Sequence, residues 1–179
     1  MAARRTSRSE NGKPQGSITS IGAARGFLLS AGRSLAFNAV LARRVTEGSW
    51  DRLLPGELAS LDGSSSIFRV PIVDDVLAER CQSGDIHPSG PLYGSGDMQP
   101  AGESASIEAQ VLASLAPLPE RLAAIVASER RPLVLRPLDL AWNAGGQELE
   151  ISFELRRGQY ATSLLREAVA ATVPEAESE

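Results

Sequence analysis

Between residues 82 and 103 the chain carries Gly84, Pro88, Gly90, Pro91, Gly94, Gly96, Pro100 and Gly102. Proline removes a backbone donor and glycine raises the entropy lost on ordering, so this density excludes a helix and argues against a regular strand. The segment is expected to be a long loop, and loops of that length inside a compact domain usually carry function. It divides a helical front half from a back half with strand patterning.

In the front half, Phe27, Leu28, Ala31, Leu35, Ala39 and Ala42 recur at three- and four-residue steps, which predicts one helix over 23–45. Arg25, Arg33, Arg43 and Arg44 fall largely off that stripe. Gly48 and Pro55-Gly56 punctuate a loop, 66–72 reads as a short strand, and Asp74 or Asp75 can cap a helix running through Cys81. Further on, helices are expected over 104–115 and 119–130 and a short strand over 133–136. Residues 148–155 alternate polar and apolar, as in an antiparallel strand buried on its Leu149, Ile151, Phe153 and Leu155 face. A helix over 161–172 supplies part of the cover for that face. Two strands and one helix are marginal by themselves. The fold class expected is α+β, without an internal repeat.

Composition narrows the function classes. A single cysteine, Cys81, excludes an intrachain disulfide and suits a reducing cytoplasm. With His87 as the sole histidine, the ligand set is too poor for a zinc site. No run approaches the apolar length of a membrane span, and the basic start is not followed by an apolar export segment. The net charge of −4 is unevenly spread: residues 1–44 hold eight basic side chains against Glu10 alone, an electropositive front end. Residues 1–22 have no hydrophobic period and are expected to be flexible, and 173–179 form an acidic tail.

Several short motifs are spread along the chain in a fixed order. Leu29-Ser30-Ala31, Arg33-Ser34, Phe37-Asn38 and Leu41-Ala42-Arg43-Arg44-Val45 come first, then Leu54-Pro55-Gly56 and Leu61-Asp62-Gly63. Asp85-Ile86-His87-Pro88 with Gly90-Pro91-Leu92 follows, then Glu103, Arg130-Arg131, Pro137 and Leu140-Ala141-Trp142. Gly158-Gln159-Tyr160-Ala161-Thr162 with Leu165-Arg166-Glu167 completes the series. In number, order and spacing these resemble the TruD-type tRNA pseudouridine synthases over about residues 26–170.

The resemblance implies isomerisation of uridine 13 in tRNA, with tRNA as partner and neither metal nor organic cofactor. It implies a TruD-like insertion domain at 23–128 and, at 129–172, the C-terminal part of a pseudouridine synthase catalytic domain built on a partial antiparallel sheet. The chemistry takes the base out of its stack into a pocket holding an aspartate, an aromatic face and groups for phosphates and base edges. In the family that aspartate follows a lysine near the start, whereas here the lone lysine, Lys13, precedes Pro14. The chain is therefore expected to be inert alone, with a separate N-terminal catalytic fragment as a possible partner. A non-catalytic RNA-binding or assembly module is the alternative, and salt-sensitive tRNA binding without isomerisation would mark it.

By the same resemblance Tyr160 lines the pocket by stacking on the target base; read without it, Tyr160 is a packing aromatic before the last helix. Arg166 is either a phosphate-holding group or a surface helix residue, with Thr162 as N-cap on the second reading and a substrate-binding residue on the first. Arg33 and Asn38 stand between a buried polar network and direct RNA contact. Arg43 and Arg44 read as a solvated helix end, where arginine suits the dipole. A Cys81-His87-Asp85 nucleophilic site is a remote reading, because such triads gather their members from separate elements. His87 is expected in a structured loop.

Overall fold

The structure, a computed structural model, describes residues 17–168 apart from 147 and 157. Helix α1 (Ser17–Thr46) is followed by β1 (Glu57–Leu61), β2 (Ile67–Val70), α2 (Asp75–Ser83), β3 (Ile86–Leu92), α3 (Gly102–Ser114) and α4 (Leu118–Ala123). Then come β4 (Glu129–Pro132), β5 (Leu138–Gly145), β6 (Glu148–Glu154) and α5 (Ala161–Ala168). Four strands form an antiparallel sheet in the order β2-β1-β3-β4, and β5-β6 form a separate antiparallel ribbon. The α+β class expected from the sequence is the one observed.

The segment expected to be a loop over 82–103 contains β3, which lies inside the sheet. Composition misleads here because the strand's pairing is divided along its length: Ile86–Pro88 face β1, and Ser89–Leu92 face β4. Pro91 lies beyond the part paired with β1, where a missing amide donor costs least, and the Pro88 carbonyl still accepts from Leu133 N at 2.9 Å. Gly90 is not a break either. A Cβ there would lie 2.8 Å from Leu133 and 3.0 Å from the Phe37 ring, so glycine is what lets α1 approach the sheet.

Other boundaries also shift. α1 begins at Ser17, so residues 17–22, expected to be flexible, continue the helix; the rest of that segment and the acidic tail lie outside the described residues. β1 had no sequence signal. The strand expected over 133–136 is instead β4 at Glu129–Pro132, which also cuts the helix expected over 119–130 down to α4. Asp74 does cap α2, its Oδ1 accepting from Leu77 N at 2.8 Å, and Gly84 closes the helix at φ +87.

The apolar core is centred on Leu53, Ala59, Val70, Cys81 and Ile86, with Leu61, Phe68, Val73 and Leu77 packed around it. α1 packs on β3, α3 and α4 through Ala36, Phe37 and Val40. The stripe expected to face inward is therefore the wrong one: Phe27, Leu28 and Leu35 are exposed, and Arg44 is buried. The helix is turned this way because Arg44 finds partners inside.

Candidate functional site

Arg44 is 2% exposed and is not the solvated helix end expected. Its Nη1 donates to Glu57 Oε2 at 2.8 Å, Nε and Nη2 donate to the Ser49 carbonyl, and Nη2 also donates to the Arg52 carbonyl at 3.0 Å. Ser104 Oγ donates to Glu57 Oε1 at 3.1 Å, so one network ties α1, β1 and α3. Burial raises the Glu57 carboxyl above its usual range, and the adjacent Arg44 only partly offsets that. A second network joins β3, α3 and β4. Arg130 grips Glu108 bidentately at 2.6 and 3.0 Å and donates to Ser89. Neither network was legible in the sequence, which shows a charge but not the partner that permits its burial. Arg43 does stay at the surface, paired with Glu47.

The five side chains expected to touch substrate divide into two groups. Arg33 reaches inward: Nη2 donates to the Leu92 and Ala127 carbonyls at 3.1 and 3.3 Å and pairs with Glu129 at 3.2 Å. Its Nε is buried without a hydrogen-bond partner among the described residues. Tyr160, Asn38, Thr162 and Arg166 are exposed. Asn38 shares α1 with Arg33 but lies on its open side, while Thr162 and Arg166, one helical turn apart, share a face of α5. α5 begins at Ala161, so Thr162 falls inside the helix and is not its N-cap.

Tyr160 is tied to the sheet by a residue that sequence reasoning did not weigh as a site. The Arg131 guanidinium carbon lies 5.1 Å from the centre of the Phe37 ring and 5.9 Å from that of Tyr160. Arg131 pairs across the sheet with Gly90, whose missing side chain makes room for Phe37. Tyr160 is thereby linked to α1, four residues along from Arg33. The only signal available was the Arg130-Arg131 pair, and the two arginines look alike until one is buried against Glu108.

His87 belongs to a third cluster. Its Nε2 lies 3.1 Å from Asp62 Oδ1, and Arg156 Nη2 reaches Asp62 Oδ2 at 2.6 Å, fastening the segment after β6 to the four-stranded sheet. Burial pushes the Asp62 carboxyl up, but His87 and Arg156 together outweigh it and leave it below the usual range. His87 lies on a strand and not in the loop expected. Cys81 bonds the Asp51 carbonyl and Asp85 pairs with Arg80 at 2.6 Å, so no Cys-His-Asp site forms. Among the described residues no group of three or more His, Cys, Asp or Glu could hold a metal, and no helix is long and apolar enough to cross a membrane.

The family model for tRNA pseudouridine synthase D (TruD) matches residues 15–168. A tRNA pseudouridine synthase D of Xanthomonas euvesicatoria pv. vesicatoria is 47% identical over 150 residues, covering 80% of this chain and 40% of the relative. One from Nitrosococcus oceani is 43% identical over 148 residues, covering 81% and 41%. The chain thus spans about 40% of the length of the curated relatives it matches. A crystal structure from Methanosarcina mazei, described as a tRNA pseudouridine synthase D, superposes with a TM-score of 0.64 at 23% identity, over 78% of this chain and 36% of that one. At that identity the match speaks to the fold alone.

Proposed function

The chain belongs to the TruD family of tRNA pseudouridine synthases, and from that premise we propose that it supplies the base-stacking half of a uridine-13 isomerase whose catalytic aspartate comes from elsewhere. The observation that carries this reading is Tyr160. It is 57% exposed, stands at the turn where the family motif Gly158-Gln159-Tyr160-Ala161-Thr162 occurs, and is supported by an arginine. An aromatic so placed can receive a base that has left the helix, with Thr162 and Arg166 on the adjoining helix face to hold base edges or phosphate. tRNA is the partner on this reading, and the site is in the cytoplasm where tRNA is processed.

The reaction also needs a carboxylate at the ribose-base bond. Asp62 is committed to His87 and Arg156, and Asp85 to Arg80. The lone lysine, Lys13, precedes Pro14, so no aspartate of the chain stands in the family's Lys-Asp setting; we therefore propose that the chain alone forms no pseudouridine and that an N-terminal catalytic fragment completes it. The exposed ribbon fits such a partner: Leu140, Trp142 and Leu149 present an apolar face that no other element of the described chain packs against extensively. The RNA-binding alternative loses one of its supports, since Arg33 and Arg44 of α1 are turned to internal partners.

The experiment is a pseudouridine-formation assay on an unmodified tRNA transcript, with the purified chain alone and with the N-terminal part of the Xanthomonas relative. The expected result is no product from the chain alone and product on mixing. Activity of the chain alone would overturn the missing-aspartate reading. Silence in both, with tRNA binding retained, would favour the non-catalytic module.

A further inference from the structure

We propose that Arg131 is a positioning residue for Tyr160, presenting one cation to two rings so that the site aromatic is anchored to the core of the four-stranded sheet. The inference rests on the reading of Tyr160 as the base-stacking residue.

Tyr160 follows Gly158, which has φ +90, and precedes α5, so it sits on a turn. More than half of the residue is open to solvent, and burial alone would not hold its ring in one orientation. Phe37 is its opposite, only 5% exposed and fixed against Gly90 and Leu133. Arg131 lies over both rings, at distances where the ring quadrupole attracts a cation. The order of support runs from Gly90 to Phe37, then Arg131, then Tyr160. Arg130, its neighbour on β4, is spent on Glu108 and Ser89, whereas Arg131 makes no ion pair among the described residues. A planar guanidinium can stack on an aromatic face in a way a tetrahedral ammonium cannot, so lysine is not an equivalent replacement. The Tyr160 surface left uncovered is what a flipped base would meet.

The test uses the whole chain, an unmodified tRNA transcript, and the variants R131M, R131K, Y160L and R131M/Y160L. R131M is expected to weaken tRNA binding about 3- to 10-fold, the range a cation-ring contact can supply. R131K should lose nearly as much, and R131M should lose little further in the Y160L background. The Arg131 Hε resonance should move in Y160L, since one of the two rings beside the guanidinium is then gone. Equal losses from R131M with and without Tyr160, joined to a shallower salt dependence and full binding by R131K, would make Arg131 a phosphate contact and overturn the positioning. An Arg131 Hε resonance indifferent to Y160L would overturn it whatever the tRNA does. Y160L binding as tightly as the unsubstituted chain would sink the base-stacking reading itself, and the positioning role with it.

Discussion

The four-stranded head and the β5-β6 ribbon are both antiparallel, yet they place opposite residue types inside and out. The head buries Arg44, Glu57, Glu108 and His87 among its apolar side chains. The ribbon leaves every residue of β5 exposed, with Trp142 at 72% and Leu140 at 52%. Burying a charge is tolerable only when its partners are already in place, so the head has the character of a finished core. The ribbon has the character of half an interface: its two strands satisfy one another and leave a face for something else. The Arg156-Asp62 pair and the Arg131-Tyr160 contact are the joints that tie the segment after the ribbon back to the head.

R44M strips Glu57 of its cation and leaves three backbone acceptor contacts unmade, so it should cost about 3–5 kcal/mol in urea denaturation. Replacing both partners, as R44M/E57L, should recover part of that loss, since two apolar groups leave no uncompensated charge. A loss under about 1 kcal/mol from R44M would mean the head's charges are not integral to its core.

Next in size is G90A. Its added methyl would meet Leu133 and Phe37 at 2.8 and 3.0 Å, which should cost about 1–3 kcal/mol of overpacking. Because Phe37 carries Arg131, the variant should also disturb the Arg131 Hε resonance. Instability without that disturbance would separate the packing of Gly90 from the support of Tyr160.

Gly90 also shows where sequence reading stops. Elements set by local pattern were legible: the helical span of α1, though not the face it turns inward, the Asp74 cap of α2, the run that became α3 and the strand at β6. Elements set by partners were not. β3 carries Gly90 because Phe37 of α1 and Leu133 approach it closely, and tolerates its prolines because its pairing is divided between β1 and β4; nothing within the segment itself reveals either. Arg44 looks like any arginine at a helix end until Glu57, thirteen residues later, is placed beside it. The motif pointed to Tyr160, Thr162 and Arg166, of which Thr162 and Arg166 share a face of α5 and Tyr160 stands just before that helix. Arg131 was beyond reach, since its place beside Phe37 and Tyr160 comes from a cross-strand register.

A smaller effect is expected at the joint. Asp62 is an acceptor for both His87 and Arg156, so D62N should cost about 1 kcal/mol at neutral pH. The carboxyl sits below its ordinary value of 3.8 in the folded chain, so its contribution is present above that pH and is lost as pH falls through the lower folded value. The stability difference between D62N and the unsubstituted chain should therefore shrink as pH falls below about 4. A gap that instead widened over that acidic range would reverse the sign and exclude the carboxylate's pairs as its source.

The smallest expected effect carries the comparison's sharpest test. W142T removes the largest exposed side chain of the ribbon and keeps a residue suited to a strand, so the free energy of unfolding should change by no more than about 0.5 kcal/mol. The same substitution should strip apolar area from any surface that covers the ribbon, so pseudouridine formation on mixing with the N-terminal part of a relative should fall while the head stays folded. Stability and assembly respond in opposite measure because Trp142 contributes little where water already surrounds it and much where a partner would displace that water. If W142T instead lowered the stability of the isolated chain by more than about 2 kcal/mol, Trp142 would already be buried in solution, and the ribbon would be covered by another copy of the chain.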